Sequence, residues 1–240
     1  MPADNSILAF LATVVVGLLA VAGSEPAGPA GVGTTAALDE LLLEYDANIR
    51  PPGDGPTKVG VSAGIMIADW CSNRLSVTYF FRQSWTDSRL KFKGYKEIRV
   101  AMPSKLWDPA LYSPMEVDFQ LLNDGYIVIK PDGEVSSTQR GTSVLPCVLT
   151  ADDVYQHDGK LNCTLSIGSF GNDSDQVLLH WDKPPSLSMA ARKQCSIVET
   201  KEFVLPTHNG NYSQAQVVLE VNTGVTKALL NHVIREMTKS

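Results

Sequence analysis

The chain predicts a mainly β fold: a single β-sandwich with one α-helix ahead of its strands and a short C-terminal helix. Three observations carry this. Eight or more short segments are alternating, β-branched or aromatic, Gly- and Pro-containing turns punctuate them, and there is no internal repeat and no alternating strand–helix pattern.

The elements follow in order. Thr34-Thr35 leads into Leu38, Leu41, Leu42 and Tyr45 at helical spacing, and the pattern stops before Arg50-Pro51-Pro52. Val59–Ala68 and Leu75–Arg82 then alternate as strands. Ile127–Lys130 and Glu134–Val144 bracket Pro131-Asp132-Gly133, a hairpin turn with Gly where a positive φ is wanted. Asn162–Gly168, Val177–Trp181, Ile197–Leu205 and Ser213–Val221 supply further strands. Val225–Ser240 returns to helical spacing, with Val225, Leu229, Val233 and Met237 on one face.

Composition narrows the function. The 240 residues are 44% hydrophobic and 19% charged, which is enough for a substantial core and too apolar for disorder. The formal charge of −6, with no Lys/Arg stripe, argues against nucleic acid as a partner. No GxSxG, HExxH or phosphate-binding glycine loop is present, so an enzyme is not expected. His157, His180, His208 and His232 are scattered and no CxxC pair occurs, so neither a metal site nor a cofactor is predicted. Asp152-Asp153 reads as a pair of loop acids.

The N-terminus points to export. Ile7–Ala22 is a 16-residue run without a charge, and Ala20 and Ala22 have the spacing a signal peptidase prefers. Residues 1–22 are therefore expected to be a signal peptide and 23–36 a Gly/Pro/Ala-rich flexible lead-in. Asp4, with no Lys or Arg beside it, departs from the usual leader, and a membrane anchor is the alternative, though the run is short for one. Later apolar stretches such as Val217–Val221 are far below the roughly 20 residues a spanning helix needs, so no membrane span is expected in the mature chain. Sequons at Asn162, Asn172 and Asn211 fit an exported glycoprotein. The even count of cysteines (Cys71, Cys147, Cys163 and Cys195) suggests two disulfides in an oxidising compartment.

Three stretches together carry a resemblance. Phe80-Phe81-Arg82-Gln83-Ser84-Trp85-Thr86-Asp87-Ser88-Arg89-Leu90 follows the pattern F-x-R-Q-x-W-x-D-x-R-L. Lys130-Pro131-Asp132-Gly133-Glu134-Val135 runs on to Arg140, Thr142 and Cys147, and Cys163-Thr164-Leu165-Ser166-Ile167-Gly168-Ser169-Phe170-Gly171 comes after. With Leu41-Leu42, Tyr45-Asp46 and Arg50-Pro51 ahead of them, these resemble the extracellular ligand-binding domain of Cys-loop receptors, the pentameric ligand-gated ion channels, over residues 37–222. The motifs are most similar to those of the anion-channel subunits gated by glycine, GABA or glutamate.

That resemblance implies an immunoglobulin-like sandwich in a homo- or hetero-pentamer, with a small ligand held between neighbours. It assigns Phe80, Arg82 and Thr138 to the complementary face, and Tyr112, Phe170 and Tyr212 to the principal face. Aromatic faces attract an ammonium group, and a guanidinium such as Arg82 can hold a carboxylate bidentately. The cage has no Trp and the chain lacks a vicinal cysteine pair, which favours an amino-acid transmitter over a choline ester. For each residue alone, a core ring or a cross-strand ion pair is the competing reading.

The resemblance also pairs Cys147 with Cys163; Cys71 and Cys195 have no counterpart in the family, and a second disulfide on parity, free thiols or an intersubunit bond all stay open. The loop from Val148 to Asn162 is longer than the family's, and Tyr155-Gln156-His157-Asp158-Gly159-Lys160 replaces its apolar apex. Soluble acetylcholine-binding proteins likewise carry a hydrophilic loop there. Residues 223–240 form a polar amphipathic tail where the family's first membrane helix would follow. The expectation is a secreted pentameric protein, without a channel, that holds a small transmitter-like amino acid or amine between its subunits. Two other readings stay open: an interaction module that kept the fold and lost its ligand, and a truncated channel subunit.

Overall fold

The computed structural model describes residues 32–102 and 105–238. The expected signal peptide, 1–22, and residues 23–31 of the lead-in lie outside the described residues. Helix α1 (Val32–Leu42) begins ahead of Thr34, and its Leu38, Leu41 and Leu42, with Tyr45 beyond the last turn, pack on the core.

The strands follow as β1 (Thr57–Cys71), β2 (Arg74–Thr86), β3 (Ile98–Ala101), β4 (Leu111–Tyr112), β5 (Asp118–Ile129) and β6 (Glu134–Pro146). After helix α2 (Ala151–His157) come β7 (Lys160–Ser169), β8 (Val177–Trp181), β9 (Ser186–Leu187), β10 (Cys195–Thr207) and β11 (Gly210–Asn222). Helix α3 (Lys227–Met237) closes the described chain. Among the described residues, one sheet runs β3-β5-β6-β2-β1-β8 with β9 also on β1, and the other runs β10-β11-β7-β4. The fold is the mainly β sandwich with terminal helices that the alternation predicted.

Alternation decides which side chains meet between the sheets. Val59, Val61, Ala63 and Ile65 of β1 point inward with Leu75, Val77 and Tyr79 of β2. They face Leu165 and Ile167 of β7 and Ala215, Val217, Leu219 and Val221 of β11. Two tight turns set the register. Ser72 and Asn73, both at positive φ (51° and 63°), join β1 to β2 as a two-residue hairpin loop. Gly133, at φ 85°, closes the β5–β6 hairpin where expected.

The Cys147–Cys163 disulfide forms, with Cα atoms 5.5 Å apart, inside the core. The second pair does not. Cys71 is exposed at the tip of the β1–β2 hairpin, whereas Cys195 is buried at the start of β10, and both are free thiols. Topology separates what parity had joined.

Between the paired cysteines the chain is not a loop throughout. Asp152 and Asp153 sit in the first turn of α2, not in a loop, where negative charge is favoured by the helix dipole. The Thr150 hydroxyl accepts from the Asp153 amide at 3.3 Å, and the Asp153 carboxylate accepts from the Thr150 amide at 2.8 Å, a reciprocal cap. Gly159, at φ 76°, ends this turn against the Val225 carbonyl, where a Cβ would clash. The Thr223 hydroxyl donates to the Gly159 carbonyl at 2.7 Å, and Tyr155 donates to Asn231 of α3 at 3.3 Å. The segment between Cys147 and Cys163 and the chain leaving β11 are thus one hydrogen-bonded unit. No helix among the described residues is long and apolar enough to cross a membrane.

Candidate ligand-binding faces

One face gathers on the four-stranded sheet. The Asp108 carboxylate accepts from the Ala110 amide at 2.7 Å and folds residues 107–110 into a turn with Ala110 at φ 52°. Ala110 then accepts from the Phe170 amide at 2.9 Å, and the Pro109 carbonyl accepts from the Ser169 hydroxyl at 2.8 Å and the Asn172 side-chain amide at 3.3 Å. With β4 pairing Leu111 to Ser169 and Tyr112 to Gly168, two loops distant in sequence are zipped together.

The result is an aromatic corner. The rings of Tyr112 and Phe170 meet edge to face, centroids 5.5 Å apart at 81°, an arrangement the ring quadrupoles favour. Phe170 is 76% exposed, so it is not a core residue. Tyr212 of β11 joins them across a cavity of about 320 Å3 that is also lined by Leu205, Thr207 and Gln214. Burial pushes the Asp108 carboxyl above its usual range, against hydrogen bonds from Ala110 and Gln83.

The other face lies on the outer side of the seven-stranded sheet. Cross-strand register places Phe80 opposite Arg140 and Arg82 opposite Thr138, so these four side chains share one surface. Tyr79, Phe81, Gln83 and Trp85 alternate with them and point inward. Arg82 is exposed and takes no part in the ion pairs found among the described residues. The competing reading, a cross-sheet pair with an acid, is not realised. Arg140, which the sequence reading placed only in a motif, holds its guanidinium 5.7 Å from the centroid of the Phe80 ring.

Within one chain the structure therefore assembles two groups on different sheets: Tyr112 with Phe170 and Tyr212, and Phe80 with Arg82 and Thr138. Tyr45, Asp87 and Arg89 brace the end of β2 that carries the second group. The Tyr45 hydroxyl donates to Asp87 at 2.9 Å and accepts from the Trp107 amide at 3.0 Å, and Arg89 bonds the same carboxylate at 2.7 Å. Of the sequons, Asn162 and Asn211 are exposed, whereas the Asn172 side chain holds its loop to Pro109 and Ser169. Among the described residues no cluster of three or more His, Cys, Asp or Glu could hold a metal.

The two sheets of the sandwich thus present an exposed aromatic group on one and an aromatic and guanidinium group on the other. The profile of the neurotransmitter-gated ion-channel ligand-binding domain matches residues 34–233, and the chain belongs to that family. It is 26% identical over 215 residues to a gamma-aminobutyric acid receptor subunit beta of Caenorhabditis elegans, covering 80% of this chain and 38% of the relative. It is 28% identical over 204 residues to a glutamate-gated chloride channel of Drosophila melanogaster, covering 76% and 44%. To a gamma-aminobutyric acid receptor subunit alpha-2 of Rattus norvegicus it is 30% identical over 166 residues, covering 65% and 36%. The chain spans less than half the length of these relatives.

Proposed function

We propose that the chain is a secreted binding protein that assembles as a ring of five and holds a small amino-acid transmitter between neighbouring subunits. In this reading the Tyr112–Phe170–Tyr212 corner of one subunit closes on the Phe80–Arg82–Thr138 face of the next. The ligand's ammonium lies against the aromatic faces and its carboxylate takes the Arg82 fork. The observation that carries the reading is the exposed edge-to-face pair of Tyr112 and Phe170, a ring pair that no core requires.

The ring is proposed to work without a pore. The loop that is apolar at its apex in channel subunits is here the polar helix α2, bonded to α3 through Tyr155 and Asn231. The domain is taken as residues 37–222, with 223–240 a polar tail beneath it. Residues 1–22 serve as the signal peptide and 23–36 as the lead-in, of which 32–36 already belong to helix α1, with glycans on the exposed Asn162 and Asn211.

Light scattering on the secreted protein tests the assembly, and calorimetric titration with glycine, GABA, glutamate, acetylcholine and biogenic amines tests the ligand. A pentamer that binds an amino acid supports the reading. A monodisperse monomer overturns it, since the site is shared between subunits. A pentamer that binds none of these compounds is an interaction module instead.

A further inference from the structure

A second cavity lies inside a single subunit, between the two sheets. Its volume is about 120 Å3, and Tyr79, Phe81, Tyr112, Phe119, Ser113 and Glu116 line it. We infer that this cavity is a binding site for a small primary ammonium ion carrying no carboxylate, held by Glu116 and Ser113 within an aromatic wall.

The polar groups are unequal in a way that points to a ligand. Ser113 is 5% exposed, and its hydroxyl, fully buried, has no hydrogen-bond partner, a costly state for a native side chain. Beside it the Ser143 hydroxyl donates to Glu116 Oε2 at 2.6 Å. That uses the one proton Ser143 has, so in the 3.0 Å contact between Tyr79 and Ser143 the Tyr79 hydroxyl is the donor. The chain Tyr79 to Ser143 to Glu116 converges on one carboxylate oxygen. The Glu116 carboxylate also takes the Ser113 backbone amide, and it stays half-buried on the cavity wall beside the unpartnered Ser113 hydroxyl.

Chemistry selects the occupant. An ammonium donates to the Glu116 carboxylate and to the Ser113 oxygen together, and the rings of Tyr79, Phe81, Tyr112 and Phe119 form the rest of the wall around its charge. No Lys or Arg lines the cavity, so a carboxylate there would face the Glu116 carboxylate with only the neutral donors of Ser113 and Gln139 to offset the repulsion. Free amino acids are thereby excluded and simple amines admitted. Size sets the upper limit: a cavity of about 150 Å3 accepts a six-atom ring such as benzene, so this one takes methylammonium or ethanolamine readily. Burial holds the Glu116 carboxyl above its usual range, against hydrogen bonds from the Ser143 hydroxyl and the Ser113 amide, and a bound cation reverses that bias.

The site has a consequence for the proposed function, on which this one point rests. Tyr112 lines this cavity and also the outer cavity with Phe170 and Tyr212. Filling the inner space fixes one wall of the outer one, so the two occupancies are coupled through a single ring.

The test is ligand-observed NMR of the assembled protein with 13C-methylammonium chloride, with ethanolamine and acetate as competitors. The expected result is saturable binding, displaced by ethanolamine and not by acetate. Glu116→Gln, which keeps the acceptor for Ser143, should weaken it about tenfold or more, and Ser113→Ala severalfold. Arg82→Ala should leave it unchanged, which separates this site from the one between subunits. No saturable binding, displacement by acetate, or an unchanged affinity in folded Glu116→Gln overturns the inference. Should Glu116→Gln not fold, Ser113→Ala and the competition series on the unaltered protein still decide it. Failure here leaves the site between subunits untouched, because that reading is decided by amino-acid titration and assembly.

Discussion

Tyr112 and Phe170 meet edge to face, ring centroids 5.5 Å apart, because the Ala110 carbonyl and the Phe170 amide are tied at 2.9 Å beneath them. The rings are held by backbone and not by burial, which leaves both exposed.

Removal of the outer ring should therefore cost binding and spare the fold. Phe170→Ala is expected to weaken the amino-acid ligand by about 0.5–2 kcal/mol, the range of one cation–π contact. The melting temperature should stay within a degree or two, since the ring is 76% exposed. Calorimetric titration paired with thermal unfolding checks both halves.

Arg82 should discriminate by the ligand's acid. Arg82→Ala is expected to lower affinity for a carboxylate-bearing transmitter about tenfold to a hundredfold, and to leave an amine lacking that group nearly unaffected. Arg82→Lys should recover only part of the loss, because a point charge cannot reproduce the planar fork. Equal losses for both ligand types would place Arg82 outside the site.

Tyr45 should make stability fall at alkaline pH. Burial, with Asp87 beside it, pushes its phenol from 10.0 up to about 12, so the fold favours the neutral form. That contribution is complete below pH about 10, the unfolded value, and is lost as pH rises toward about 12. Tyr45→Phe, which removes the donor to Asp87 and the acceptor for the Trp107 amide, is expected to destabilise by about 1–3 kcal/mol at neutral pH. The gap between the two proteins in chemical denaturation should narrow between pH 9.5 and 12.

The four cysteines should behave as three kinds. Under native conditions a thiol reagent is expected to modify Cys71 and to reach Cys195 only on unfolding, since Cys195 is buried and its thiol is pushed up by that burial. Changing both Cys147 and Cys163 to Ser should cost about 3 kcal/mol, the loop-closure value for a short loop. Peptide mapping by mass spectrometry reads the first result and urea unfolding the second.

Much of this architecture was legible in the residues. Val177–Trp181 reads as a strand and is one, end to end, because a short, mostly apolar run set between polar turns suits a strand packed in a sheet. The hairpin at Pro131-Asp132-Gly133 declares itself through Gly133, whose φ of 85° other residues rarely adopt. Phe80, Arg82 and Thr138 were grouped by the family resemblance; alternation alone puts Phe80 and Arg82 on one face of β2, and only the β2–β6 register sets Thr138 opposite Arg82.

Helix α2 was missed although Thr150 and Asp153 stand at capping-box spacing, since a seven-residue helix lacks a periodic apolar face. The pairing of Cys71 with Cys195 failed for a different reason: parity counts thiols and carries no distance. Glu116 and Ser113 gave no sign, because a cavity between sheets is made by residues that local pattern does not relate.

By itself the sequence determined the sandwich, its hairpins and the chemical kinds of side chain on each strand. Those follow from alternation and turn geometry, which act over a few residues. Only the tertiary structure decided that Tyr112 touches Phe170, that Ser113 is buried without a partner, and that Cys71 and Cys195 stay apart. These depend on how strands distant in the chain are ordered and stacked, and that order is set by the packing of the whole core.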